Sequence, residues 1–141
     1  MMLPEYVFLL HAITTFMWFG ITWFVQFVHY PLLRLGNPFP LEHYRRIMPW
    51  AGFLLTLELV TGIALLFIRP ARIPLAPIVV GLVLLAIIWM LTWGICVPCH
   101  LRLCKKRDDD AYNTLLRMHF LRSVLWSTRA IIIALMFTQL L

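Results

Sequence analysis

A chain of 141 residues with 62% hydrophobic and 13% charged residues is not a soluble domain, which carries roughly a quarter charged residues. Its net charge of +6 flanks apolar stretches and forms no basic patch interleaved with aromatics, so nucleic acid is excluded as a partner. Phosphate-binding loops, nucleophile–base signatures and dinucleotide fingerprints are all missing from the sequence.

Four stretches, residues 6–28, 50–68, 75–97 and 123–141, match the roughly 20 helical residues needed to cross a bilayer core. They predict an all-α, integral membrane four-helix bundle, with residues 1–141 forming a single membrane domain. The first stretch lacks the basic n-region and small-residue cleavage site of a signal peptide, and is expected to remain as a span. The segments 29–49 and 98–122 carry Arg34, Arg45, Arg46, Arg102, Lys105, Lys106, Arg107, Arg117 and Arg122. The opposite side has only Arg69 and Arg72. This asymmetry places both segments in the cytoplasm and both termini outside, in a multi-pass membrane protein.

Along the first span, His11, Thr15, Trp18, Thr22, Gln26 and His29 recur at intervals of three and four, one helix face. Facing lipid would be costly for such a stripe, so it is expected to turn inward, either bonding to neighbouring helices or forming a polar track. Asn37 and Pro40 precede a short interfacial helix over 41–48, and Pro49 is expected to bend the chain into the second span. Glu58 then lies eight residues beyond Trp50, about 12 Å deeper at 1.5 Å per residue. A carboxylate there needs a partner or a neutral form. Arg129 in the fourth span is the natural partner, giving a Glu58–Arg129 ion pair; the alternative is a Glu58 that relays protons or contacts a cofactor.

Pro74 and Pro77 open the third span, which ends in Cys96-Val97-Pro98-Cys99-His100. Formally this is the c-type haem string, but on the expected cytoplasmic side it reads as a thiol pair, inert or metal-binding, with no structural disulfide. Asp108, Asp109 and Asp110 suit the start of a helix that continues to Leu141. His43-Tyr44-Arg45-Arg46-Ile47-Met48-Pro49-Trp50 and His119-Phe120-Leu121-Arg122-Ser123-Val124-Leu125-Trp126 share the pattern His-aromatic-x-Arg-x-x-x-Trp, and Pro31 and Pro98 end the odd spans. The pattern suggests two parallel-repeat helical hairpins. In such a repeat His29, His43, His100 and His119 gather near the cytoplasmic boundary, where with Cys96 and Cys99 they suit a transition metal or haem, or else are interfacial histidines with no ligand. Trp50 and Trp126 are expected in the interfacial belt.

Leu10-His11, Trp18-Phe19-Gly20, Phe24 and Pro31-Leu32 form a Leu-His…Trp-x-Gly…Phe…Pro-Leu pattern. It resembles small four-helix bacterial membrane proteins of the copper-resistance-D-like and oxygen-independent protoporphyrinogen-oxidase-like groups. The resemblance implies a bacterial inner membrane and haem b with His11 as a ligand, although the Cys and His residues closing the third span depart from the oxidase group's pattern. Two functions are expected. One is a haem- or metal-binding redox protein exchanging electrons with a quinone or porphyrin-like substrate. The other is a non-enzymatic accessory subunit or small transporter, as a homo-oligomer or within a larger membrane complex.

Overall fold

The computed structural model describes residues 2–36 and 38–140. Asn37 and Leu141, expected at a helix start and a helix end, lie outside the described residues. Among the described residues there is no strand, and four helices are long and apolar enough to cross a membrane: α1 (Leu3–Leu35), α2 (Leu41–Phe67), α3 (Leu75–Lys105) and α4 (Asp109–Thr138). The chain is therefore a multi-pass membrane bundle. Each helix packs on its two sequence neighbours, and α4 closes the ring on α1. The bundle has one end bearing connections 36–40 and 106–108, called here the basic end, and another bearing both termini and connection 68–74.

Polarity is inverted relative to a soluble bundle. Phe16, Phe53, Val83 and Ile131 are exposed, whereas His11, Thr15, Glu58 and Arg129 are buried. Lipid takes the place of water outside, so the apolar side chains need no covering and the polar ones need one another. Inside, the core is layered. Phe8, Leu65, Ile78 and Met136 pack at the terminal end; Trp18, Leu55, Leu85, Ile88 and Trp126 pack at mid-height; and Tyr30, Phe39, Cys96, Leu103 and Leu115 pack at the basic end.

All four helices run beyond the stretches read from hydropathy. Residues 98–105 and 109–122, expected as cytoplasmic segments, continue α3 and begin α4. α2 passes through Pro49 without a joint, because proline deletes one amide donor and a long packed helix absorbs that loss. Asp108 caps α4 by accepting the Ala111 amide at 2.9 Å. That bond, together with the neighbouring Arg102 guanidinium, holds its carboxyl below the usual carboxylate range. Trp126 is fully buried and stacks on Trp18, with ring centroids 5.4 Å apart. It is a core residue and not part of an interfacial belt.

α1 and α3 share a device. Each widens into a π turn, Val25–His29 and Thr92–Cys96, beginning six residues before a proline. Pro31 and Pro98 donate no amide, so an ordinary turn leaves a carbonyl without its partner. In the wide turn the Tyr30 amide reaches the Val25 carbonyl, and the Val97 amide reaches that of Thr92. The inserted residue also rotates the remainder of the helix. Tyr30 takes the inward position, 3% exposed, whereas His29, expected to continue the inward stripe, is displaced to a half-buried site.

Gly62 on α2 makes the tightest glycine contact in the bundle. A Cβ there would lie 2.9 Å from Leu82 Cδ2 and 3.2 Å from His11 Cε1, whereas one on Gly52 meets nothing within 4 Å. Gly62→Val is therefore expected to destabilise the bundle by about 1–3 kcal/mol, the usual cost of overpacking. Gly52→Ala should be close to neutral. Thermal unfolding of both variants in detergent checks the contrast.

Candidate functional site

Two polar centres lie on the bundle axis. The deeper one draws on every helix. Arg129 of α4 donates through Nη2 to Glu58 Oε1 at 2.5 Å and through Nη1 to the Gly81 carbonyl of α3. Glu58 of α2, fully buried, also accepts from the hydroxyls of Thr14 and Thr15 on α1. His11 Nδ1 meets Thr61 Oγ1 at 2.8 Å, and its Nε2 lies 3.3 Å from Arg129 Nη2 and 3.6 Å from Glu58 Oε1. The carboxylate has three donors and the guanidinium a carboxylate and a carbonyl, so the pair is neutralised in place. This is what a buried ion pair requires to repay its desolvation.

A haem on His11 does not fit this geometry. Both ring nitrogens face protein groups within 3.3 Å, and the cavity beside the ring is about 10 Å³, roughly one water probe.

The second centre occupies the basic half. A cavity of about 260 Å³ runs between α2 and α3 towards the axis. Its outer rim includes Trp50 and Trp93, 71% and 44% exposed, and its inner wall includes Trp18, Cys96, His119 and Arg122, all buried. Thus it joins the lipid-facing surface to the bundle axis. Gly52 lies on its α2 wall, and Tyr30 and His100, 3.0 Å apart from Oη to Nε2, stand at its basic end. His119 Nδ1 meets Gln26 Oε1 at 2.9 Å. The remaining walls are mostly apolar, and the Arg122 Nε and Trp18 Nε1 donors are buried without a hydrogen-bond partner, as are Arg129 Nε and the indole Nε1 of Trp89 and Trp126 elsewhere in the bundle. Such orphaned donors are rare, and each asks for an acceptor.

The candidate residues do not converge on one point. His29 and His43 pair through their Nε2 atoms at 2.8 Å, His100 goes to Tyr30, and His119 goes to Gln26. Of the four histidines expected to gather, only His29 and His43 bond to each other. Among the described residues no group of three or more His, Cys, Asp or Glu side chains is placed to hold a metal. Cys96, Cys99 and Cys104 are free thiols, and Cys96 and Cys99 are packed into the core of the basic end.

Sequence reasoning misses Arg122, because it reads there as a loop charge. The signal exists: His119, Arg122, Trp126, Arg129 and Ile133 recur at intervals of three and four, the spacing of one helix face. All five are buried. Compared with protein-family models, curated proteins and solved structures, the chain matches none.

Glu58→Gln or Arg129→Gln alone strands a buried charge, and each is expected to cost about 3–5 kcal/mol. The double variant removes both charges and should cost less than the sum of the two singles. Unfolding of the three variants in detergent measures the coupling.

Proposed function

We propose that the protein is a membrane-embedded receptor for an amphiphile that reaches it through the lipid phase. The cavity between α2 and α3 holds the ligand's apolar body, and Arg122 and Trp18 bond its acceptor-bearing head. The single observation that carries this reading is the pairing of an apolar cavity with buried donors that nothing in the chain satisfies. Its rim of exposed Trp50 and Trp93 gives access from lipid without passage through water. Small-molecule sites have the same character, mostly apolar walls with a few placed polar groups.

Size narrows the ligand. At about 260 Å³ the cavity falls just below the roughly 300–1,000 Å³ of drug-sized pockets. A single ring or one hydrocarbon chain is accommodated, with any tail extending into lipid. A four-pyrrole macrocycle is too large. Of the substrates expected from sequence, a quinone meets the requirements of size and acceptors and a porphyrin does not. Electron exchange is the part of the redox expectation that a quinone-class ligand would carry. The charge asymmetry supports a cytoplasmic basic end.

A lipid-soluble diazirine probe in nanodiscs tests the reading. Saturable adducts are expected on Met48, Trp50 or Trp93, and Gly52→Leu, which projects into the cavity from a position with open space around it, should abolish them. Adducts confined to outward residues such as Phe53, Val83 and Ile131, unchanged by Gly52→Leu, would overturn it.

A further inference from the structure

α4 buries two arginines seven residues apart, and the chain treats them differently. Arg129 has a carboxylate, a carbonyl and a neighbouring imidazole around it. Arg122, only 7% exposed, has no carboxylate within 4.0 Å among the described residues. Nor does the chain have one to spare. Its six acidic residues are Glu58, bound to Arg129; Glu42, bound to Arg46; Asp108, bound to Arg102; Asp109, between Arg34 and Arg107; Asp110, exposed beyond the basic end; and Glu5, in the first turn of α1 at the opposite end. What faces Arg122 instead is the cavity, lined there by Cys96, His119, Tyr30 and His100, none of which carries a carboxylate.

A guanidinium is always charged, and a buried charge is retained only where it is paired. The Cys96 thiol bonds to the guanidinium but brings no carboxylate, so the neutralising charge is left for the ligand to supply. Resting on the reading of the cavity as an amphiphile site, we infer that its ligand is an anion: a single-chain amphiphile with a carboxylate or phosphate head. The head is seated on the Arg122 guanidinium. The planar fork of arginine suits both anions, since it offers two parallel N–H donors to two oxygens. The chain of the ligand lies along the apolar walls past Gly52 and leaves between Trp50 and Trp93. A phospholipid with two chains exceeds the volume, and a neutral quinone satisfies the donors without neutralising the charge.

The test uses a nitroxide-labelled fatty acid and its methyl ester, two probes with one body and different head charge. The full-length protein is held in neutral-lipid nanodiscs at alkaline pH, where the acid is ionised. The motionally restricted, saturable fraction is read by electron paramagnetic resonance. Wild type should hold the acid at least about tenfold more tightly than the ester, the worth of a hydrogen bond to a charged group. R122Q should abolish that preference, so that acid and ester bind alike, and G52L should remove both signals. Competition by the unlabelled fatty acid and by a monoacyl phosphate of equal chain length shows which anion is preferred.

Equal binding of acid and ester, both lost in G52L, would overturn the anionic ligand and leave the amphiphile site standing. Signals indifferent to G52L would overturn both. An acid preference that survives in folded R122Q would overturn the role of Arg122. Should R122Q not fold, the ratio of acid to ester in wild type decides alone.

Discussion

A carboxylate and a guanidinium in the middle of a membrane bundle must neutralise each other, and the position of every helix depends on how they do so. Glu58 sits on α2 and Arg129 on α4, the two helices that face each other across the ring. Their contact spans the axis, so it fixes the relative height of both hairpins. Thr14 and Thr15 of α1 donate further bonds to the carboxylate, and the Gly81 carbonyl of α3 accepts one from the guanidinium. In lipid there is no hydrophobic force between helices, because the tails outside are as apolar as the side chains. Packing and hydrogen bonds must supply register, and this one cluster touches all four members of the bundle.

Close approach is the condition for that cluster to close. Gly62 and Gly81 lie on the inward faces of α2 and α3, where His11, Leu82 and Arg129 come near their backbones. Small residues at membrane helix interfaces let backbones approach, and here the approach brings the Gly81 carbonyl within reach of a guanidinium. Towards the basic end the constraint relaxes. The π turns of α1 and α3 rotate Tyr30 and Cys96 into the bundle, and the space between α2 and α3 opens into the cavity.

Much of the fold is legible in the sequence because the bilayer imposes it. Four apolar stretches admit one architecture, and Glu58 and Arg129, the charged residues inside those stretches, have few ways to coexist. Register is what the sequence conceals. The His11–Gln26 stripe assumes 3.6 residues per turn, and the π turn at Val25–His29 breaks that count, so Tyr30 replaces His29 on the inner face. Residue type alone assigns Trp126 to an interface, but its place on the stripe His119–Ile133 puts it against Trp18. Arg122 is hidden by its company. It comes after a run of basic loop residues, and only the periodicity of α4 separates it from them. The histidines illustrate the same limit, since four of them near one boundary say nothing of their pairing. His29 with His43, His100 with Tyr30 and His119 with Gln26 depend on rotations that no spacing encodes.

The two buried arginines of α4 show how a helix of fixed periodicity separates structure from ligand recognition. Both lie on the face defined by His119, Trp126 and Ile133, and both are costly to desolvate. At Arg129 the opposing helices bring an acid, two threonines and a carbonyl into place, and the space left over is about 10 Å³. At Arg122 they bring indoles, imidazoles and a thiol, and the space is about 260 Å³. A bundle that needed Arg122 only for stability would gain from an apolar residue there, since replacing buried charge by well-packed hydrophobic side chains is often stabilising. An arginine beside a cavity with no carboxylate against it is thus better explained by what the cavity receives than by what the helices require.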